Sequence, residues 1–255
     1  MTGRDARFAG LFVLLALSAW AVLGWWSAGP YARYLDHPGW GDVATFGDLC
    51  SVVVVPAGVH ALAWTLMLAA MMLPTTYPLL ALFARITFAR ADHAALVARV
   101  VAGFLAVWMI FGLFAHLVDA GLRGVVAGSG WALTHGWVVS ATVLAGAGLF
   151  QFSALKYRCL EACQAPFGFI ASRWRGQAPE REAWRLGIDH GWFCLGCCWA
   201  LMLVMFVVGV GSIGWMLVLA ALMAAEKNLP WGRRLRTPLG MALLAWAGAL
   251  VVMHL

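Results

Sequence analysis

The fold is decided by an uncharged stretch, residues 192–225, which reads WFCLGCCWALMLVMFVVGVGSIGWMLVLAALMAA. As a single helix it would extend about 50 Å at about 1.5 Å per residue, whereas the hydrocarbon layer of a membrane is about 30 Å thick. The stretch must therefore turn. Gly209, Gly211 and Gly214 lie near its middle, and glycine adopts positive φ angles at little cost. We predict two helices joined by a tight hairpin at residues 209–214.

Similar apolar stretches recur along the whole chain. Of the 255 residues, 64% are hydrophobic and 11% are charged, against about 25% charged residues in a typical soluble domain. This composition excludes a water-soluble fold. The first stretch is too long for the apolar part of a secretory signal peptide, and further stretches follow it. We predict seven transmembrane helices, at Phe8–Ala28, Gly58–Phe83, Val100–Val118, Trp137–Leu155, Trp192–Val208, Ile213–Ala225 and Leu239–Leu255.

The loops between these helices are short. The longest, about residues 29–57 and 156–191, are too short to form a soluble domain, so we treat residues 1–255 as a single membrane domain. The fold class predicted from the sequence is therefore all-α, a polytopic bundle of membrane helices.

The positive charges predict how this bundle is oriented, because Lys and Arg remain on the cytoplasmic side of a membrane. With the N-terminus in the cytoplasm, 15 of the 17 Lys and Arg residues fall in cytoplasmic segments, Lys156 and Lys227 among them, and only Arg33 and Arg123 fall outside. Seven helices then leave the C-terminus on the extracytoplasmic side of a bacterial inner membrane. The net charge of +6 reflects this topology and does not indicate nucleic-acid binding, which needs one exposed basic surface.

Five of the six cysteines fall near the cytoplasmic ends of the predicted helices, in two groups. Cys159 and Cys163 have the spacing C-x₃-C, and Cys194, Cys197 and Cys198 have the spacing C-x-x-C-C. The cytoplasm is reducing, so disulfides do not persist there. The two groups instead suggest chemistry of free thiols.

The second group of cysteines lies on one helical face, because residues three and four apart in a helix are neighbours. That face also carries His190 before Cys194, and Met205 beyond Cys198. Thiolates and thioethers favour Cu(I), and Zn²⁺ is the weaker alternative. Cys and Met also pack as small or flexible hydrophobic residues. A C-x-x-C pair also exchanges disulfides, although usually in a thioredoxin-like βαβ context that this sequence lacks.

A stripe of methionines precedes two prolines in the second predicted helix. Met67 and Met71 recur at helical spacing, Met72 lies beside them, and Pro74 and Pro78 follow. Each proline removes a backbone donor, which in a membrane must be compensated by neighbouring groups and often marks a kinked, functional segment. Such a stripe is also a common feature of an ordinary helical core.

Glu226 ends the sixth predicted helix at the cytoplasmic boundary. A carboxylate there could orient a ligand or shuttle a proton, or it could simply form an ion pair. The complete set of candidate metal ligands is Cys159, Cys163, Cys194, Cys197, Cys198, Met67, Met71, Met72, Met202, Met205, His190 and Glu226.

Four histidines map to the extracytoplasmic ends of predicted helices, namely His60, His116, His135 and His254. Separately, each is an ordinary interfacial histidine. Jointly they suggest an outer metal site, since imidazole binds copper and zinc. This hypothesis requires the four helix ends to converge.

Several of these motifs occur in a fixed order that resembles a known family. They are Trp64-x-x-Met67-x-x-x-Met71-Met72-x-Pro74, Leu155-Lys156-x-x-Cys159-Leu160-x-x-Cys163, Cys194-Leu195-Gly196-Cys197-Cys198-Trp199-x-Leu201-Met202 and Glu226-Lys227. Over about residues 60–230 the chain resembles the bacterial family of predicted metal-binding integral membrane proteins, a domain of unknown function. Some members of that family are taken to be copper chaperones for copper oxidases of the tyrosinase kind. The chain departs from the family in the turn at residues 209–212, where a Gly-x-Met-Asn-like sequence is expected; Met202, Met205 or Met216 could replace that methionine.

The resemblance implies a copper chaperone that binds Cu(I) and supplies it to a copper enzyme. We expect no enzymatic activity, and the sequence contains no P-loop or phosphorylated-Asp motif for ATP-driven pumping. The expected partners are the lipid bilayer and a recipient copper enzyme. The alternatives are a passive or gradient-driven metal transporter, a thiol-redox membrane protein, and an assembly subunit whose sulfur atoms only pack.

Overall fold

The computed structural model describes residues 3–29, 57–127, 135–209 and 212–254, and that part of the chain contains helices and no strand. The helices are α1 (Gly3–Ser27), α2 (Ala57–Met71), α3 (Tyr77–Thr87), α4 (His93–Ala127), α5 (Gly136–Phe150), α6 (Ala154–Gln164), α7 (Pro166–Ala171), α8 (Pro179–Val208), α9 (Ile213–Asn228) and α10 (Gly232–His254). A short 3₁₀ turn, Pro74–Thr76, joins α2 to α3. The prediction of an all-α fold is confirmed.

The described residues include four helices that are long and apolar enough to cross a membrane, Ala6–Ser27, His93–Val118, Pro179–Val208 and Gly232–His254. Two bent pairs of helices also qualify, each as one broken span. Ala61–Met71 and Pro74–Thr87 meet at 44°, and Gly136–Phe150 and Ala154–Gln164 meet at 63°. The described residues therefore contain four to six candidate spans, as a multi-pass membrane protein does.

The remaining predicted span, the sixth, corresponds to α9, which has 16 residues. At about 1.5 Å per residue it is about 24 Å long, which is shorter than the hydrocarbon layer. The count of seven and the orientation of the two termini stay predictions.

Helix α8 is the centre of the bundle and packs against α4, α5, α6 and α9. Its contact with α4 depends on glycines, because a Cβ atom on Gly187 would collide with the carbonyl of Val100, and one on Gly103 would collide with the carbonyl of Trp184. Small residues let membrane helices approach closely. The cysteine motif of α8 consequently lies in the core.

The predicted hairpin after α8 is confirmed. Helix α8 ends at Val208, Gly209 has a φ of +90°, and α9 begins at Ile213. The backbone N–H of Ser212 donates to the carbonyl of Gly209 at 3.2 Å. Residues 210–211 lie outside the described part of the chain.

The region predicted as a long cytoplasmic loop, residues 156–191, is instead mostly helical. It contains most of α6, all of α7 and the first turns of α8. Pro166 and Pro179 occupy first-turn positions, where proline is well tolerated. Prediction from charge overlooked the apolar residues of this region, of which Leu160 and Leu186 are buried. Most of the other predicted loop, residues 29–57, lies outside the described residues.

Candidate metal centre

The break between α2 and α3 brings a methionine to the cysteines of α8. Met72 follows the last residue of α2, and the bend of 44° at Pro74 separates α2 from α3. The side chain of Met72 is completely buried, and its Sδ lies 3.9 Å from Sγ of Cys198. The predicted kink is therefore present, and it places Met72 beside the cysteine motif.

The three cysteines of α8 are buried along one face of the helix. The thiols of Cys197 and Cys198 both donate to the backbone carbonyl of Cys194, at 3.1 and 2.8 Å. Ser and Thr side chains often make such bonds to the preceding turn of a helix. These two thiols are thus directed back along their own helix, toward the same carbonyl oxygen.

Helix α6 brings the second cysteine group against the first. A methyl group on Gly196 would lie 2.5 Å from Sγ of Cys159, so Cys159 occupies the space that this glycine leaves open. The thiol of Cys163 interacts with the thiol of Cys197. Two groups that are separate in the sequence are therefore joined in the fold.

The sulfur atoms of Met72, Cys159, Cys163, Cys194, Cys197 and Cys198 are called the sulfur cluster below. A lysine that was predicted to lie in a loop is buried against this cluster. Nζ of Lys227 donates to Sγ of Cys194 at 2.9 Å and to Oγ1 of Thr75 at 3.2 Å. Its side chain is buried, and it interacts electrostatically with Cys197, Cys198 and Cys163 as well.

A signal in the sequence could have placed this lysine in the core. Lys227 follows Met223 by four residues in α9, so the two share a helical face, and Met223 is completely buried. The apolar face of α9 thus ends in a cation, which the count of loop charges did not consider.

Glu226, a candidate ligand, is held by a second buried lysine. Nζ of Lys156 donates to both carboxylate oxygens of Glu226, at 3.0 and 2.8 Å. The side chains of Lys156 and Glu226 are 0% and 2% exposed. Nε2 of Gln164 donates to the backbone carbonyl of Glu226 at 2.6 Å, and Nε of Arg233 donates to Oε1 of Gln164 at 2.6 Å. This network fastens α6 to α9 and leaves the carboxylate occupied.

His190 lies one turn before Cys194 on α8 and is 4% exposed. Its ring packs against Phe104 and Phe169, with ring centroids 5.8 and 5.6 Å away. Its Nδ1 atom has no hydrogen-bond partner among the residues that the structure describes. It interacts electrostatically with Cys194, so one imidazole nitrogen remains available beside the sulfur cluster.

The remaining candidate ligands are also buried. The methionines concerned lie in the same hydrophobic core as the cysteines: Met67, Met71, Met202 and Met205.

The outer histidines do not form a group of three possible ligands in the described part of the chain. His254 is exposed, stacks on Trp137 with ring centroids 5.1 Å apart, and has Nδ1 2.8 Å from the carbonyl of Leu250. The side chain of His60 lies outside the described residues. The outer metal site stays a hypothesis.

Within the described ranges, no three His, Cys, Asp or Glu side chains are grouped so that they could hold a metal ion. Structural zinc takes four such ligands, so the zinc alternative gains no support.

A soft ion, however, fits between the sulfur atoms of Cys198 and Met72, which are called the sulfur pair below. Two sulfur ligands about 2.3 Å from one ion lie about 3.8 Å apart at a tetrahedral angle and about 4.6 Å apart when linear. The distance of 3.9 Å between Cys198 and Met72 falls in that interval. One thiol and one thioether are a soft pair of the kind that selects Cu(I).

Comparison with known proteins adds one match. A family model described as "PpoB2: Copper chaperone" matches residues 61–250. The matched region is 190 of the 255 residues and includes all of the cysteines, methionines and lysines of the site described above. No curated protein and no solved structure matches the chain.

Proposed function

This chain belongs to the PpoB2 copper chaperone family, and on that premise we propose that it binds Cu(I) between Cys198 and Met72 and supplies it to a copper enzyme. The observation that carries the proposal is the sulfur pair, 3.9 Å apart and fully buried. Thiolate and thioether ligands discriminate against hard ions such as Mg²⁺ and Ca²⁺. Copper is the cargo in this proposal, and the chain itself has no enzymatic role.

Cys194 or Cys197 is the proposed additional ligand, so that two thiolates bind the ion. Both lie within one turn of Cys198, and rotation of a side chain is enough to turn the thiol of Cys197 away from the carbonyl that it now contacts. Each Cu–S bond to a cysteine forms as its thiol loses a proton, and the oxidation state of copper does not change. The half-buried Cys163, next to Cys197, is the proposed point of transfer.

The partners of the proposal are the lipid bilayer and a recipient copper enzyme. The apolar helices support a membrane location: α1 exposes Leu11, Leu14 and Leu17, as a helix facing lipid does. We place the protein in the bacterial inner membrane with the sulfur cluster toward the cytoplasm, on the evidence of the positive charges in the sequence.

Titration of the purified full-length protein with Cu(I), under reducing conditions in detergent and in competition with a chromophoric chelator, tests this proposal. We expect stoichiometric Cu(I) binding by the wild type and a loss of affinity of at least about tenfold in Cys198→Ser, because a soft charged ligand is lost. Met72→Leu removes only a thioether and should lose less. Met241→Leu is the matched control, since it removes one exposed sulfur atom outside the proposed site.

Two results would contradict the proposal. One is a wild-type protein that binds no Cu(I) under reducing conditions. The other is Cys198→Ser binding Cu(I) as tightly as Met241→Leu does, which would leave the sulfur cluster with a packing role only.

Thiol exchange is a second candidate function, and the contact between Lys227 and Cys194 favours it. A cation 2.9 Å from a sulfur atom stabilises a thiolate, which is the nucleophile in disulfide exchange. Exchange would oxidise Cys194 and Cys197 to a disulfide while a partner disulfide is reduced to two thiols. Mass spectrometry of alkylated protein, before and after incubation with oxidised glutathione, separates the two functions: a Cys194–Cys197 disulfide forms in an exchange protein only.

A further inference from the structure

The buried charges of the described residues do not balance. Among the described Lys, Arg, Asp and Glu side chains, those that are buried are Lys156, Lys227 and Glu226. Lys156 and Glu226 neutralise each other at 2.8 Å. Lys227 takes part in none of the salt bridges formed by the described residues. One positive charge is therefore left over, and it lies 2.9 Å from Sγ of Cys194.

This charge is held in place. The hydroxyl of Thr75 accepts a hydrogen bond from Nζ of Lys227 at 3.2 Å, and the hydroxyl itself donates to the carbonyl of Met72 at 2.7 Å. The ammonium group is thus anchored to the same chain break that presents Met72 to Cys198. Any ion bound to the sulfur cluster has a cation as its neighbour.

Building on the copper-binding function proposed above, we infer that Lys227 makes the sulfur cluster selective for a monovalent ion over a divalent one. Two thiolates, one Cu(I) ion and one ammonium group sum to zero charge. With a divalent ion in the same place, one positive charge remains uncompensated in apolar surroundings. An uncompensated buried charge is strongly unfavourable.

The repulsion between Lys227 and the ion also grows in proportion to the charge of the ion. Zn²⁺ is repelled twice as strongly as Cu(I) at the same distance. Lys227 therefore acts on the choice of ion through space and is not itself a ligand.

The test is the ratio of the affinity for Zn²⁺ to the affinity for Cu(I), measured separately for each ion by chelator competition on the full-length protein in detergent. Loss of the ammonium group also changes how readily the thiols lose their protons, but this effect is common to both ions and largely cancels in the ratio. We expect Lys227→Met to raise the ratio by about tenfold or more. Lys227→Arg, which retains the charge, should keep the ratio near the wild-type value.

Arg234→Met is the matched control, because it removes one exposed positive charge near the same helix end. If Lys227→Met does not fold, Thr75→Val provides the test. It removes the hydrogen bond that anchors the ammonium group, and we expect the ratio to rise by a smaller factor.

The inference would be overturned if Lys227→Met, or Thr75→Val where that variant is used, had the same affinity ratio as Arg234→Met while still binding Cu(I). If the proposed copper function itself is wrong, the wild type will bind no Cu(I) at all, which distinguishes the two outcomes.

Discussion

Two buried lysines lie at the C-terminal end of α9 and have different kinds of partner. Lys156 of α6 is paired with the carboxylate of Glu226, whereas Lys227, the next residue in α9, contacts the thiol of Cys194 and the hydroxyl of Thr75. A carboxylate neutralises an ammonium group permanently. A thiol can exchange its proton for a soft metal ion. The first lysine therefore fastens helices together, and the second provides a charge at the place where an ion would bind.

The largest effect is expected when the carboxylate partner is removed. Glu226→Leu leaves the charge of Lys156 buried without compensation, and Lys156→Met leaves the carboxylate of Glu226 in the same state. Loss of one partner of a buried pair costs about 3–5 kcal/mol. We expect a marked drop in the apparent Tm of either variant in detergent, together with a low yield of folded protein.

The double variant Lys156→Met, Glu226→Leu serves as the control. Apolar replacement of both partners of a buried pair is often nearly neutral, so the double variant should recover most of the lost stability. If it is as unstable as the single variants, the pair does more than neutralise two charges, and the proposed contrast between the two lysines fails.

A smaller effect is expected where α6 meets the cysteine motif. Gly196→Ala places a methyl group 2.5 Å from Sγ of Cys159, and α6 cannot easily move away because Lys156 and Gln164 attach it to α9. Overpacking of this kind costs about 1–3 kcal/mol. The apparent Tm should fall accordingly.

Adding Cys159→Ala to that variant should restore stability, since it removes the sulfur atom that the methyl group meets. Gly214→Ala is the matched glycine control, because no atom lies within 4 Å of its added Cβ. A Gly196→Ala variant as stable as Gly214→Ala would show that α6 is free to move, and that the ion pair does not hold it.

The smallest effect is expected for an exposed ion pair. Arg90 and Asp92 are 2.8 Å apart, with side chains 39% exposed. The hydrogen bonds from Arg90 hold the pKa of Asp92 below its usual value. Any stabilisation is therefore present above the pKa of the unfolded state and is lost as the pH falls through the lower pKa of the folded state.

Solvent screens such pairs, so Asp92→Asn should leave the apparent Tm at pH 7 unchanged within error. A drop comparable to that of Glu226→Leu would mean that burial is not what distinguishes the pairs.

The charge count illustrates where sequence reasoning misled. Lys156 and Lys227 were both counted as cytoplasmic loop charges, but both are buried in the core. The positive-inside rule applies to charges in loops, so these two residues do not inform the orientation. The remaining Arg residues of the same segments still favour an N-terminus in the cytoplasm, which stays a prediction.

The sequence by itself determined the features that depend on short stretches of chain: helices from apolar runs, the hairpin at Gly209 and the kink at Pro74. It also singled out the cysteines and methionines, because soft side chains at helical spacing have a recognisable pattern. Local geometry and side-chain chemistry are sufficient for inferences of this kind.

Only the tertiary structure decided which of these groups meet. Met72 and Cys198 are 126 residues apart, Lys156 and Glu226 are 70 apart, and Lys227 and Cys194 are 33 apart. Helical periodicity relates residues a few positions apart and carries no information on how one helix is rotated against another. That rotation is set by close packing, as at Gly187 and Gly196. This packing places Glu226 beside Lys156 and Lys227 beside the sulfur cluster.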